Sequence, residues 1–470
     1  MLFNSVHFLW YFPLFLIVYF TINERFRWMV LLAASIYFYM SWKPEYVILL
    51  GFCTVLNYYS AILIHNETRQ KYRYWYLVTS VILNLSVIVV FKYLGFFTEI
   101  LNSVLALSNA EPLPIIHLLL PVGISFYTFH TMSYTIDVYK NETPVEKHFG
   151  YFSLFVSFWP MLLAGPIERS NHLIPQFRKK FVWDYERIMM ATNRISFGFF
   201  KKMVVADRLS MYVNEVYANL DSYGTLPIII AAIFFSIQIY CDFSGYCDIA
   251  IGVAMIIDFD LFENFNRPYT ATSIKDFWSR WHMSLSRWFR DYVYIPLGGN
   301  RVSEGKKIRN LMVTFLVSGL WHGANFTYIF WGALHGVYQV IGTYTESFRT
   351  KVRTSLGIEG TWLSRAQQTI ITFILVTFAW IFFRAKSFDH AFQIIGKIAA
   401  IDYRGIGEIM IGKGPFQMLI NVFVIALLVA AAKLPVKLNL KYSHLFIVAC
   451  WTVVLLLGEG GTEEFIYFQF

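Results

Sequence analysis

What most constrains this chain is a succession of apolar runs, each near the length that crosses a bilayer, separated by short basic stretches. Phe8 to Ile22, Trp28 to Trp42, Tyr46 to Ile64 and Tyr76 to Phe97 follow one another with little polar interruption. A helix of about 20 residues spans a hydrocarbon core of about 30 Å, and in lipid a backbone must satisfy its own hydrogen bonds. Later runs occupy Leu118 to Tyr134, Tyr151 to Ala164, Ile195 to Val213, Leu226 to Tyr240, Ile249 to Ile257, Leu311 to Ile341, Thr369 to Phe383, Phe416 to Ala432 and Leu445 to Leu457. The expected fold is all-α: a polytopic integral membrane protein of roughly 10–12 membrane helices with interfacial amphipathic helices. With no repeat and no soluble linker, residues 1–470 read as a single domain.

Composition agrees. Hydrophobic residues fill 57% of the 470 positions and charged residues 15%, against roughly 25% charged in a soluble domain. Trp and Tyr, abundant here, settle at the headgroup level of a bilayer. The net charge of +9 lies in clusters between apolar runs, the pattern of cytoplasmic loops facing anionic lipid and not of a nucleic-acid surface. Arg25–Arg27 and Arg69–Arg73 are separated by two runs and so fall on one side. The first run has no basic stretch before it and reads as a retained helix, with Met1 outside. Cys53, Cys241, Cys247 and Cys450 lie within or beside apolar runs and read as small buried hydrophobes. The spacing of Cys241 and Cys247 does not suit zinc, and no metal site is expected.

Three stretches depart from the bulk pattern. Phe277 to Asn300 places Trp278, Trp281, His282, Leu285 and Trp288 at helical spacing, with Arg280, Ser284, Arg287 and Asp291 opposite, which predicts one amphipathic helix. His282 is there either a packed histidine or an active-site partner lining a donor path. Leu311 to Tyr338 carries His322 about 16 Å along an apolar run, and an intramembrane ionisable group is a functional candidate by default. Gly319 and Gly323 admit a close approach or a bend, and Asn325 is placed to orient the ring; His335 falls toward the opposite interface and receives no role. The bland reading of His322 is a satisfied bundle histidine. In Gln238 to Gly252, Asp242, Ser244 and Asp248 interrupt an apolar passage and face a polar cavity or one another.

Acyl transfer from a thioester to a hydroxyl uses a lone buried histidine well. The hydroxyl must lose a proton as it attacks, a neutral imidazole accepts it, and the thioester is already activated. Asp242, Ser244, Asn325 and Trp281 are then candidates for the substrate path.

The motifs WSRWHMSLSRWFRDYVYIPLGGNR at Trp278–Arg301, SGLWHGANFTYIFWGALHG at Ser318–Gly336, YCDFSGYCDIAIG at Tyr240–Gly252, AGPIERSNHLIPQF at Ala164–Phe177 and PVGISFYTFHTMSYTIDVY at Pro121–Tyr139 resemble the membrane-bound O-acyltransferase family, in particular its bacterial alginate O-acetylation branch. The closing IYFQF at Ile466–Phe470 adds to the likeness. The resemblance implies a ring of helices around a central funnel or tunnel, a catalytic histidine at His322 and a second histidine at His282. It implies an acyl thioester donor such as acetyl-CoA, or a carrier protein, on the cytoplasmic side. It also implies an exopolysaccharide acceptor, a periplasmic or extracellular acetyltransferase partner, and residence among the lipids of the bacterial inner membrane. D-alanyl transfer to teichoic acid from a carrier protein is the neighbouring activity. A transporter without chemistry would use the same broken helices and buried polar residues, though no inverted repeat is visible.

Overall fold

A computed structural model describes residues 1–116, 118–402, 415–431, 440–459 and 465–466; Tyr467–Phe470 of the closing stretch and Ala432 lie outside the described residues. Regular structure among them is entirely helical. Among the described residues, four stretches are long and apolar enough to cross a membrane: Pro44–Asn66, Gln70–Leu107, Thr225–Ile256 and Trp362–Arg384. Val6–Thr21, Phe416–Ala431 and Tyr442–Leu457 are shorter apolar helices. Large apolar side chains such as Ile48, Ile82, Ile374 and Leu419 stand exposed on these helices. Water penalises such surfaces; lipid is the solvent that suits them.

The chain forms two compact units. One comprises Met1–Ile195 and Ile249–Phe262. Within it, α1 (Val47–Asn66), α2 (Gln70–Ile88) and α3 (Ile124–Tyr139) are joined by a buried polar network. Asn57 and Asn84 exchange amide hydrogen bonds of 2.9 and 3.1 Å, and Thr135 donates to Asn57 Oδ1 at 2.8 Å. Lipid offers no alternative partners, so the network ties the three helices in one register.

The same unit holds a stitched turn outside the apolar helices. His172 Nδ1 lies 2.7 Å from Glu168 Oε2, and its Nε2 lies 3.4 Å from Asp260 Oδ2. Gln176 exchanges two hydrogen bonds with the Asp260 backbone, and Arg187 pairs with Asp258 at 2.6 Å. The Glu168 carboxylate holds the His172 imidazolium above its ordinary pKa. A raised histidine pKa stabilises the fold below its ordinary value of about 6.5, and that contribution fades as pH rises through the raised value. The melting temperature of the wild type should therefore exceed that of His172→Gln by more at pH 6 than at pH 9. An equal difference at both pH values would show that the imidazolium carries no such role.

The second unit comprises Ser196–Asp248 and Glu263–Ile466. The long helix α4 (Thr225–Ile256) contributes its residues up to Asp248. It is followed in this unit by α5 (Ile274–Trp278), α6 (Met283–Phe289), α7 (Glu304–His322), α8 (Phe326–Tyr344) and α9 (Trp362–Arg384).

The stretch from Phe277 is two short helices, α5 and α6, and not one amphipathic helix. The break is made by Asn264, whose backbone carbonyl accepts from Met283 N at 3.0 Å and whose Oδ1 accepts from Ser284 N at 3.1 Å. These bonds satisfy the first donors of α6 from outside and leave His282 at φ 41°, in the left-handed region. Ser284, expected on a polar face, is buried.

The run from Leu311 to Ile341 is a helical hairpin, so His322 is not midway along a span but the last residue of α7. Gly323 continues in an extended conformation, and Asn325 Oδ1 caps α8 by accepting from Thr327 N. Gly319 lets α7 and α8 meet. A Cβ there would press into the Tyr328 carbonyl and stand 3.1 Å from Ile329 Cα, and one on Gly332 would stand 3.2 Å from Gly319 Cα. Gly319→Val should destabilise the hairpin by ~1–3 kcal/mol, the range of overpacked cores, read as a lower melting temperature in detergent. An unchanged melting temperature would mean that the two helices separate without cost.

Candidate active site

His282 and His322 both come to rest against the Trp321 indole, with ring centroids 6.1 and 4.8 Å from it. Both are buried, at 0% and 3% exposure. His282 also meets the Phe243 ring edge-on at 4.7 Å. His322 packs against Trp331 at 5.0 Å and Phe383 at 5.3 Å. The shell around the histidines is therefore aromatic, drawn from α4, α7, α8 and α9. Aromatic rings fill the space around an imidazole and present polarisable faces to it.

The left-handed backbone of His282 is a local cost of order 1–3 kcal/mol for a residue with a Cβ. Asn264 sustains it through the two bonds described above, and its own Nδ2 donates to Cys247 Sγ at 3.4 Å. Strain held by a dedicated partner next to a second buried histidine is the arrangement functional sites favour.

A cavity of about 460 Å³ opens between α5, α6, α7 and α8. Its wall on α7 is a single face: Glu304, Lys307, Leu311, Thr314, Phe315 and Ser318. From Glu304 to Ser318 that face covers about 21 Å at 1.5 Å per residue. Lys275 and Arg290 line it as well; Lys307 pairs with Glu304 and Arg290 with Asp291. Trp278 and Leu285 make the apolar wall contributed by α5 and α6. Ser318, also in the lining, lies one helical turn before His322 on α7.

Asn325 Nδ2 donates to the Lys386 carbonyl at 3.1 Å, so both ends of its side chain serve the hairpin turn. Trp281 packs between Phe265 at 5.1 Å and Trp380 at 5.2 Å, and it is Trp278 that lines the cavity. Asp242 and Ser244 belong to a buried charge cluster. A π-helical turn, Phe200–Ala206, brings up Lys202, which pairs with Asp242 at 2.6 Å and Asp207 at 2.8 Å. Lys201 pairs with Asp248 and donates to Ser244 Oγ at 2.9 Å. Asp242 Oδ2 also accepts from Ile466 N at 2.7 Å. The pairing lysines were visible in the sequence only as interruptions of an apolar run. The signal that identifies them is that opposite charges fall in two separate apolar runs, which in lipid must find each other.

The sequence model of the membrane-bound O-acyltransferase family matches residues 113–388. A probable alginate O-acetylase of Pseudomonas aeruginosa is 39% identical over 399 residues, covering 84% of this chain and 74% of that protein. A peptidoglycan O-acetyltransferase of Helicobacter pylori is 37% identical over 395 residues, covering 78% and 72%. A teichoic acid D-alanyltransferase of Bacillus subtilis is 29% identical over 288 residues, covering 57% and 70%. The family match takes in both histidines and every residue of the cavity wall. With that extent of match and identity, the chain belongs to the membrane-bound O-acyltransferase family and is a multi-pass membrane acyltransferase.

Proposed function

We propose that the protein is an O-acetyltransferase of the bacterial inner membrane, taking acetyl groups from a cytoplasmic thioester such as acetyl-CoA and delivering them toward hydroxyls of a secreted polysaccharide such as alginate. The observation that carries this reading is a cavity lined by the cations Lys275, Arg290 and Lys307, by the apolar Trp278 and Leu285, and by Ser318, one helical turn before His322. A thioester donor has the matching chemistry: anionic phosphates at one end, a flexible arm, and a small acyl group at the other. Lys275, Arg290 and Lys307 hold the phosphates, although Glu304 shares Lys307. His322 takes the proton of the attacking hydroxyl, the thioester C–S bond breaks as the ester C–O bond forms, and the thiolate leaves with a proton. His282, on the other contact of Trp321, assists or lines the donor path. The acetyl group leaves the protein as an ester on the polymer itself or on a periplasmic acetyltransferase that completes the transfer. The acceptor follows the relatives named for alginate, which are more similar to this chain than the teichoic acid enzymes.

The experiment is transfer from radiolabelled acetyl-CoA to mannuronate oligomers by the protein in nanodiscs, with the periplasmic partner added where required. Lys275→Glu and Arg290→Glu should each raise the donor KM ~10- to 100-fold, the scale of a lost hydrogen bond to a charged group, with kcat little changed. No consumption of acetyl-CoA with or without partner, or a donor KM indifferent to both substitutions, would refute the donor assignment.

A further inference from the structure

His335 on α8 has no part in the chemistry above, yet it is fully buried and lies against the cavity wall. Its Nδ1 accepts a hydrogen bond of 3.2 Å from Trp278 Nε1, and Trp278 lines the cavity. That bond fixes the tautomer, leaving the proton on Nε2. Nε2 makes no hydrogen bond among the described residues; the ring's neighbours are aromatic, with Trp331 at 5.0 Å, Trp278 at 5.1 Å and Tyr338 at 5.9 Å.

A leucine of similar volume would avoid the cost of that unpaired N–H, about 1–3 kcal/mol. What the imidazole supplies, and leucine does not, is an acceptor for one indole. The other ring contacts of Trp278, with Phe277 at 5.7 Å, Phe315 at 5.4 Å and Trp331 at 5.7 Å, are edge contacts. Edge contacts tolerate rotation of an indole better than a directed bond does. Trp331 in turn touches His322. The bonded indole therefore stands between the cavity and the ring shell of the base.

We infer that His335 is a positioning residue which pins Trp278, and that Trp278 so pinned limits how long an acyl chain the cavity accepts. The inference rests on the donor reading of the cavity. With the bond in place, the indole occupies the space beyond an acetyl group. Without it, the indole swings and the cavity deepens toward Trp331.

The test uses the full chain in nanodiscs and compares acetyl-, butyryl- and hexanoyl-CoA as competitors for bound radiolabelled acetyl-CoA. Wild type should prefer the acetyl donor. His335→Leu and Trp278→Phe, which remove the acceptor and the donor of the bond, should each weaken that preference by about tenfold, the scale of one or two methylenes in an apolar pocket. His335→Gln, which keeps an acceptor, should restore it. A structural role alone would lower abundance without moving the preference. Unchanged preference in Trp278→Phe, which preserves the aromatic packing and guards against a His335 variant that fails to fold, overturns the inference. Failure of the wild type to bind acetyl-CoA would instead remove the donor reading on which it rests.

Discussion

Replacing His322 with alanine is expected to lower acyl transfer by ~10²–10⁴-fold, the usual contribution of a positioned general base, while the protein still accumulates in the membrane. The substitution removes ring contacts with Trp331 and Phe383 but sits at the last residue of α7, where no following helical turn depends on it. Donor affinity should survive, because the cavity lining stops at Ser318. The effect then falls on kcat and kcat/KM together and leaves KM alone, the signature of an interaction made only as the reaction proceeds. His322→Gln, which keeps a polar group of similar reach but cannot take a proton, should be equally inactive. Transfer within a factor of about ten of wild type in a well-folded variant would be too large a residue of activity for a missing base.

The second large effect is on stability. Lys202→Met leaves Asp207 and Asp242 facing one another without the cation they share. Breaking a buried pair from one side costs about 3–5 kcal/mol, mostly the cost of an uncompensated buried charge. Here the loss should appear as a sharply lower melting temperature in detergent and lower abundance in the membrane. Adding Asp242→Asn should recover part of it, since coupled residues do not add. The consequence reaches the site through the next residue in sequence: Phe243 is the edge contact of His282. Lys202→Met as stable as wild type would mean that the cluster does not frame this part of the protein.

Sequence reading went furthest where a single physical rule governs. The apolar runs predicted helices because lipid leaves the backbone little choice, and the helices appear at Val47–Asn66, Gln70–Ile88 and Thr225–Ile256, overlapping those runs. The four cysteines, read as small hydrophobes, are buried and in no disulfide. Periodicity failed at Phe277 to Asn300 because the break is imposed from elsewhere in the chain. Asn264 takes the first donors of α6, and nothing in the local pattern announces it. Hydropathy likewise could not see the turn inside Leu311 to Ile341, where Gly323 and Asn325 reverse the chain without any loss of apolar character on either side. The histidines were legible as buried polar groups out of place. Their shared contact with Trp321, and the bond that gives His335 a role, depend on packing between helices far apart in sequence.

The central claim is that the cavity delivers a donor to His322 past Ser318, and a cysteine at that position tests it directly. Cys53, Cys241, Cys247 and Cys450 line no part of the cavity, so acetyl-CoA should leave any labelling of them unchanged. Ser318→Cys in nanodiscs should react with a small water-soluble thiol reagent, and saturating acetyl-CoA should slow that reaction at least about tenfold, as occupancy of a cavity that holds the donor requires. An introduced thiol that reacts at the same rate with and without acetyl-CoA, or not at all in folded protein, would contradict the route.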